Sequence, residues 1–302
     1  METTYYEIKL KINPLMEDLI SEIFFENFDC EGIILAEEAY KDLEMVSSTE
    51  GTLRIFLKNN EPFEELKFDI ENILDISRIE FLERGMNEFE LGSWEFSLEE
   101  KKSEDWSQKW KEKWDVTHVT DKIAVVPDWI DYQPKSDEIV IKLEPGCAFG
   151  TGTHQTTQLC MKALERYFKG GTVADIGMGS GILSILAKKL GASYVYGCDT
   201  DETVIDVAKE NAVKNGEKCE FELGSADKIT EKFDFVCANI LHFVLAEIMA
   251  DLKNIMKDGA YLSLSGILDE KKQMVLDAID RENLKIVEEI HQDQWTSFVV
   301  TK

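Results

Sequence analysis

The 302-residue chain is short of positive charge: 33 Lys and Arg stand against 60 Asp and Glu, a formal net charge of −27. Nucleic-acid binding through the phosphate backbone needs basic side chains, so direct contact with nucleic acid is not expected. Histidine is scarce at four residues, and the six cysteines are scattered at 30, 147, 160, 198, 219 and 237. They form no C-x-x-C pair and no ligand-like spacing, so neither a metal site nor a disulfide framework is expected. They read instead as reduced thiols of a cytoplasmic protein. Also missing is an apolar run near the ~20 residues that cross a bilayer, which argues against a membrane partner. The opening Met1-Glu2-Thr3-Thr4 lacks the basic start and apolar core of a secretory signal.

What is present points to a globular protein. Hydrophobic residues make up 44% of the chain and aromatics 10%, too much for a disordered segment. The length suits two domains with ordinary cores. Charge is unevenly spread: residues 1–100 hold 26 acids and 8 bases, net −18, while the remaining 202 residues carry net −9. Such a segment would favour encounter with a basic protein. Solvated acidic faces are the competing explanation.

Along the first hundred residues, Thr4–Ile12 alternates as a half-buried strand, and Asn13-Pro14 then opens a helix with Leu15, Leu19, Ile20, Ile23 and Phe24 at helical spacing. Short strands follow at Gly32–Leu35 and Thr52–Leu57, then a helix over Phe63–Leu74 and a closing strand over Phe89–Phe96. The order β-α-β-β-α-β predicts a ferredoxin-like α+β domain over 1–97. A charged linker helix over 98–118 carries Trp106, Trp110 and Trp114 on one face, either packed onto a domain or free to bind something. Residues 119–302 form the second domain. Strands at Lys122–Val126 and Glu138–Leu143 lead into alternating strands and helices from Val173 onward, and the chain ends in two apolar strands, Lys285–His291 and Thr296–Thr301.

Val173–Leu183, V-A-D-I-G-M-G-S-G-I-L, is the most informative stretch. A strand ends in Asp175, and Gly177, Gly179 and Gly181 then lead into an apolar helical pattern. Glycine there meets two needs, open φ values and close backbone approach to a ligand. A second strand, Tyr194–Asp199, ends in an acid about 20 positions later, placed to accept both ribose hydroxyls of an adenosine. The G-x-G-x-G spacing differs from the dinucleotide pattern, and an acid at Asp175 would repel a pyrophosphate but suit a ligand ammonium. S-adenosylmethionine carries an ammonium, a sulfonium and no phosphate. The acid-G-x-G-x-G pattern resembles motif I of class I methyltransferases.

Upstream, Glu144–Thr157 reads E-P-G-C-A-F-G-T-G-T-H-Q-T-T, a loop of small hydrogen-bonding residues ahead of a helix. It resembles the A-F-G-T-G-T-H-P-T-T signature of the PrmA family, the methyltransferases of large-subunit ribosomal protein eleven. D-W-S-Q-K-W-K at Asp105–Lys111, V-P-D-W at Val126–Trp129, A-N-I-L at Ala238–Leu241 and L-S-G-I-L at Leu264–Leu268 follow the same family order. Gln155 stands where the family has proline, and His242 where it usually has a small residue. The resemblance implies a seven-stranded, Rossmann-like α/β sheet with an antiparallel last strand, preceded by the smaller ferredoxin-like domain. It implies a protein N-methyltransferase using S-adenosyl-L-methionine on amino groups of that ribosomal protein, bound by the acidic N-terminal domain. Cofactor contacts fall to Phe149, Thr157, Gly177, Gly179, Asp199 and Asn239. Asn239 would orient the acceptor amine, and His154 would serve either as base or as a loop-stabilising hydrogen-bond group. Another protein substrate, or a cofactor-binding assembly factor without catalysis, are the alternatives.

Overall fold

Residues 4–13, 16–34, 40–41, 44–45, 51–102, 115–143 and 152–302 are described in the computed structural model. The chain divides into two compact units, Met1–Trp114 and Asp115–Lys302. The alternation of Thr4–Ile12 becomes strand β1, whose Ile8, Leu10 and Ile12 side chains are buried. It is followed by α1 (Glu17–Asn27), β2 (Cys30–Ile34), a small ladder of β3 (Tyr40–Lys41) and β4 (Glu44–Met45), β5 (Gly51–Lys58), α2 (Phe63–Glu83), α3 (Glu88–Leu91) and β6 (Phe96–Lys102). The main sheet runs β2-β5-β1-β6 with every neighbour antiparallel, the ferredoxin-like order expected from the sequence. Leu66, Ile70, Leu74 and Phe81 on α2 bury against this sheet's apolar side chains.

Two expectations shift here. The closing strand lies at Phe96–Lys102 rather than Phe89–Phe96, because Asn87 and Glu90 form a reciprocal capping box that winds 88–91 into a helical turn. Gly92 follows at φ +82°, packed so closely against Asn13 that a side chain there would collide with backbone. The linker helix over 98–118 also changes: its first five residues belong to β6 and Thr117–His118 is a strand. Residues 103–114, with the three tryptophans, lie outside the described residues.

The second unit begins with a three-stranded sheet of β7 (Thr117–His118), β8 (Ile123–Pro127) and β9 (Ile139–Leu143). Then come α4 (Gln155–Tyr167), β10 (Thr172–Ile176), α5 (Ile182–Lys189), β11 (Tyr194–Asp199), α6 (Glu202–Lys214), β12 (Glu220–Leu223), β13 (Phe233–Asn239), α7 (His242–Glu247), α8 (Met249–Asn254), β14 (Met256–Leu268), α9 (Lys272–Arg281), β15 (Lys285–Gln292) and β16 (Trp295–Thr301). The seven strands run β12-β11-β10-β13-β14-β16-β15. The first five are mutually parallel, and β16 is antiparallel to both neighbours. This is the class I methyltransferase sheet that the sequence implied.

Strand alternation sorts the core into two layers. Val173, Phe235 and Cys237 pack beneath α4, α5 and α6, while Ala174, Ile176, Val236 and Ala238 pack under α7, α8 and α9. Both faces being covered explains why β10 and β13 read as continuous apolar runs rather than as alternating ones.

Candidate active site

The site is built at the carboxyl ends of the central strands, β10, β11 and β13, where an open parallel sheet offers a crevice. After β10 the chain turns through Gly177, Gly179 and Gly181, at φ +70°, +50° and +76°. These are left-handed conformations that cost other residues strain. Gly177 also lacks room: a Cβ there would lie far inside contact distance of Ile240 on the neighbouring strand end. The turn is pinned to β11, since the Gly177 and Met178 amides both donate to the Cys198 carbonyl at 2.9 and 3.1 Å.

The two acids flanking the turn have different partners. Asp199 Oδ2 accepts from the Gly179 amide at 2.9 Å and Oδ1 from the Asp201 amide at 3.2 Å, so it ties the end of β11 to the glycine turn. Burial raises its pKa above the ordinary value, opposed by those backbone donors. Asp175 is wholly buried. Its Oδ2 accepts from the Ser184 amide at 3.0 Å and the Ser184 hydroxyl at 2.7 Å, while Oδ1 has no hydrogen-bond partner. Asp175 thus supplies from the preceding strand the first-turn acceptor that α5 lacks, since its N-cap is Gly181. Burial pushes its carboxyl up to about 7. The ammonium-facing carboxylate expected from the sequence is therefore half occupied by the helix end.

On the β13 side, Asn239 is 6% exposed and donates through Nδ2 to Thr157 Oγ1 at 3.3 Å. Its Oδ1 is buried without a hydrogen-bond partner. Thr157 is fully buried in the first turn of α4. His154 is the N-cap of that helix: Nδ1 accepts from the Thr156 amide at 3.4 Å and lies 2.7 Å from the Thr156 hydroxyl. Its ring meets Trp295 edge-on, centroids 5.0 Å apart. The structure therefore brings Thr157 to Asn239 and Gly179 to Asp199, and it sets Gly177 against the residue after Asn239. Phe149 lies outside the described residues.

Several further residues, to which the sequence assigns no role of their own, support the site. Ser265 donates its hydroxyl to the Thr156 carbonyl at 2.9 Å, and the Ser265 carbonyl accepts from the Ile240 amide at 3.2 Å. Gly266, at φ +87°, lets β14 pass so near Ile240 that a Cβ would collide with the Ile240 carbonyl. Gly152, at φ +82°, is fitted between Val125 and Ile182. Gln155, at the position where the family has proline, donates to Asp293 in the β15–β16 turn at 3.2 Å. The L-S-G-I-L and A-N-I-L segments carry the signal for Ser265 and Gly266; nothing local marks Trp295.

Comparison with known proteins follows the same lines. A family model described as ribosomal protein L11 methyltransferase (PrmA) matches residues 4–302. A ribosomal protein L11 methyltransferase of Ruminiclostridium cellulolyticum is 33% identical over 316 residues, covering 98% of this chain and 97% of the relative. One from Caldicellulosiruptor bescii is 34% identical over 310 residues, covering 99% of each. The crystal structure of ribosomal protein L11 methylase from Lactobacillus delbrueckii subsp. bulgaricus matches with TM-score 0.60 and 34% identity, over 63% of this chain and 99% of that one. The family match extends through both units and includes the strand ends that carry Asp175, Asp199 and Asn239, and so the chain belongs to the PrmA family of ribosomal protein L11 methyltransferases.

Proposed function

We propose that this chain methylates amino groups of ribosomal protein L11, on Lys side chains, the N-terminal amine or both, with S-adenosyl-L-methionine as donor. The observation that carries the reading, beyond the family match over residues 4–302, is the pair of unpartnered buried oxygens, Asp175 Oδ1 and Asn239 Oδ1, flanking the glycine turn. A buried acceptor without a donor costs on the order of 1–3 kcal/mol, so these atoms are suited to receive N–H groups from outside the chain. The described residues fit the donor: Asp199 for its ribose, and Gly177, Gly179, Thr157 and Asn239 around the turn.

When bound, the donor supplies a methyl group on a positively charged sulfur. The chain's own part is positioning and exclusion of water. The acceptor must present a lone pair, yet a Lys amine titrates near 10.4 and an α-amine near 7.7–8.0. Asn239 Oδ1 can accept one N–H of a neutral amine and so aim the nitrogen's lone pair away from itself. Apolar surroundings lower an amine's pKa by disfavouring its charged form, which helps the proton leave before transfer. His154 already uses Nδ1 in capping α4, which supports the loop-stabilising role over that of base. The free thiols of Cys160, Cys198, Cys219 and Cys237 suit the reducing cytoplasm. The acidic N-terminal unit recruits the basic substrate, and no nucleic acid is required.

Labelled S-adenosylmethionine incubated with the full chain and purified L11 should place label on L11. Label on a different protein of a ribosomal extract, with none on L11, would overturn the substrate; no label on any protein would leave a cofactor-binding factor instead.

A further inference from the structure

Asp175 Oδ2 is fully engaged, since the Ser184 amide and hydroxyl both donate to it. Oδ1 has no hydrogen-bond partner, although the carboxyl is wholly buried. The neighbouring strands bring no countercharge: in the sheet Asp175 lies beside Gly197 of β11 and Cys237 of β13. The elements around it supply four thiols that its charge reaches, Cys160 on α4, Cys198 on β11, Cys219 ahead of β12 and Cys237 itself. The Asp199 carboxylate also acts on it and disfavours a second anion nearby. Among the described residues no cation pairs with Asp175.

These surroundings decide which group titrates and where its proton sits. Burial, together with the Asp175 charge, pushes Cys160, Cys198 and Cys219 up to about 12 and Cys237 well above the ordinary thiol value. All four thiols therefore stay neutral near pH 7. Asp175, pushed up to about 7 chiefly by burial, changes charge in that range. Because Oδ2 is occupied as an acceptor, the proton belongs on Oδ1, and α5 keeps its Ser184 contacts in both states. A protonated Oδ1 is a donor that turns its hydrogen against the N–H of an ammonium. An ionised Oδ1 accepts that N–H in a charge-assisted hydrogen bond.

We propose that S-adenosylmethionine binds with loss of the Asp175 proton to solvent, so that mild acidification releases the donor; the inference rests on the donor assignment above. The ligand's ammonium brings the countercharge that the chain itself withholds, and binding through it demands the ionised carboxylate. A nucleoside without the amino-acid tail makes no such demand.

Calorimetry of the full chain tests this between about pH 5.5 and 7.5, below the titration of the ligand's own α-ammonium. The probes are S-adenosylmethionine and 5′-methylthioadenosine. The second keeps the ribose and the sulfur but lacks the ammonium, so it also controls for Asp199, whose carboxyl is raised by burial as well. Affinity for S-adenosylmethionine should fall by roughly tenfold or more toward the acid end, as linkage requires of a group titrating near 7 that must ionise. Affinity for methylthioadenosine should stay level. At about pH 6, buffers of different ionisation enthalpy should report close to one proton released per donor bound. Asp175→Asn, whose amide oxygen can still accept from Ser184, should bind S-adenosylmethionine with no dependence on pH. The wild-type titration decides alone should that variant misfold. A level affinity of the wild type for S-adenosylmethionine, or an equal fall for both probes, would overturn the coupling. Donor affinity that follows pH, in a chain that never labels L11, would refute the proposed reaction and leave the coupling standing.

Discussion

Asp175 links the site's chemistry to the stability of the whole unit. Its carboxyl is pushed up to about 7 by burial, against an ordinary value of 3.8. Between about pH 4 and 7 the folded chain therefore holds a proton that the unfolded chain has released, and stability falls as pH rises through that window. The neighbouring buried thiols, Cys160 and Cys198, are pushed to about 12 and stay silent there. Asp175→Asn should remove this dependence. Between pH 5 and pH 8 in urea unfolding, the variant should gain roughly 2–3 kcal/mol relative to wild type, at 1.36 kcal/mol per pKa unit. An unchanged difference between variant and wild type at the two pH values would show that Asp175 ionises normally. Asn239 is expected to act on the reaction more than on binding, because the proposed function gives its unpartnered Oδ1 the acceptor amine. Asn239→Ala should lower kcat by tenfold or more while changing donor affinity less. Equal losses in calorimetry and turnover would make it a binding residue only.

At the scale of elements, the close approach of β14 to the chain leaving β13, just beyond the site, depends on one missing side chain. Gly266 sits at φ +87°, where a Cβ would run into the Ile240 carbonyl, a backbone group that cannot rotate away. Gly191 has a similar φ of +95°, but a Cβ there would meet nothing within 4 Å. Both substitutions to Ala incur the left-handed penalty of about 1–2 kcal/mol, and only Gly266→Ala adds a collision. Thermal unfolding should therefore drop clearly further for Gly266→Ala, and turnover with it, since Ile240 adjoins Asn239. Equal melting shifts would mean that this close approach relaxes freely. The same elements show what is legible in the chain. The glycine turn, the acid ending β11 and the apolar strands are readable because each signal lies within about two dozen residues. The closing strand of the first unit is misplaced by its pattern, because Phe89 and Leu91 alternate like strand residues, while the Asn87–Glu90 box that winds them is a matter of side-chain geometry. The bracing of His154 by Trp295 is not legible at all, since it joins residues brought together only when β16 enters the sheet.

For the whole molecule, the function proposed here gives different work to the two units, Met1–Trp114 and Asp115–Lys302. Each unit has its own buried cluster, Ile8, Leu10 and Ile55 among the residues of the first, Val173, Phe235 and Leu186 among those of the second. All the described residues assigned to donor and acceptor lie in the second unit, whereas two thirds of the net charge, −18 of −27, lies in residues 1–100. A fragment spanning Asp115–Lys302 keeps the glycine turn, Asp199 and Asn239, so its affinity for S-adenosylmethionine should match that of the full chain. What it loses is the local concentration of substrate. Proximity of this kind contributes to rate without altering the chemical groups, so L11 methylation at substrate levels well below saturation should fall by tenfold or more. The loss should be largest at low salt, where the acidic unit attracts most strongly, and should shrink as ionic strength rises. A fragment that methylates L11 as fast as the full chain at every salt concentration would assign substrate recognition to the catalytic unit alone. A fragment unable to bind the donor would instead place part of the donor site in the first unit.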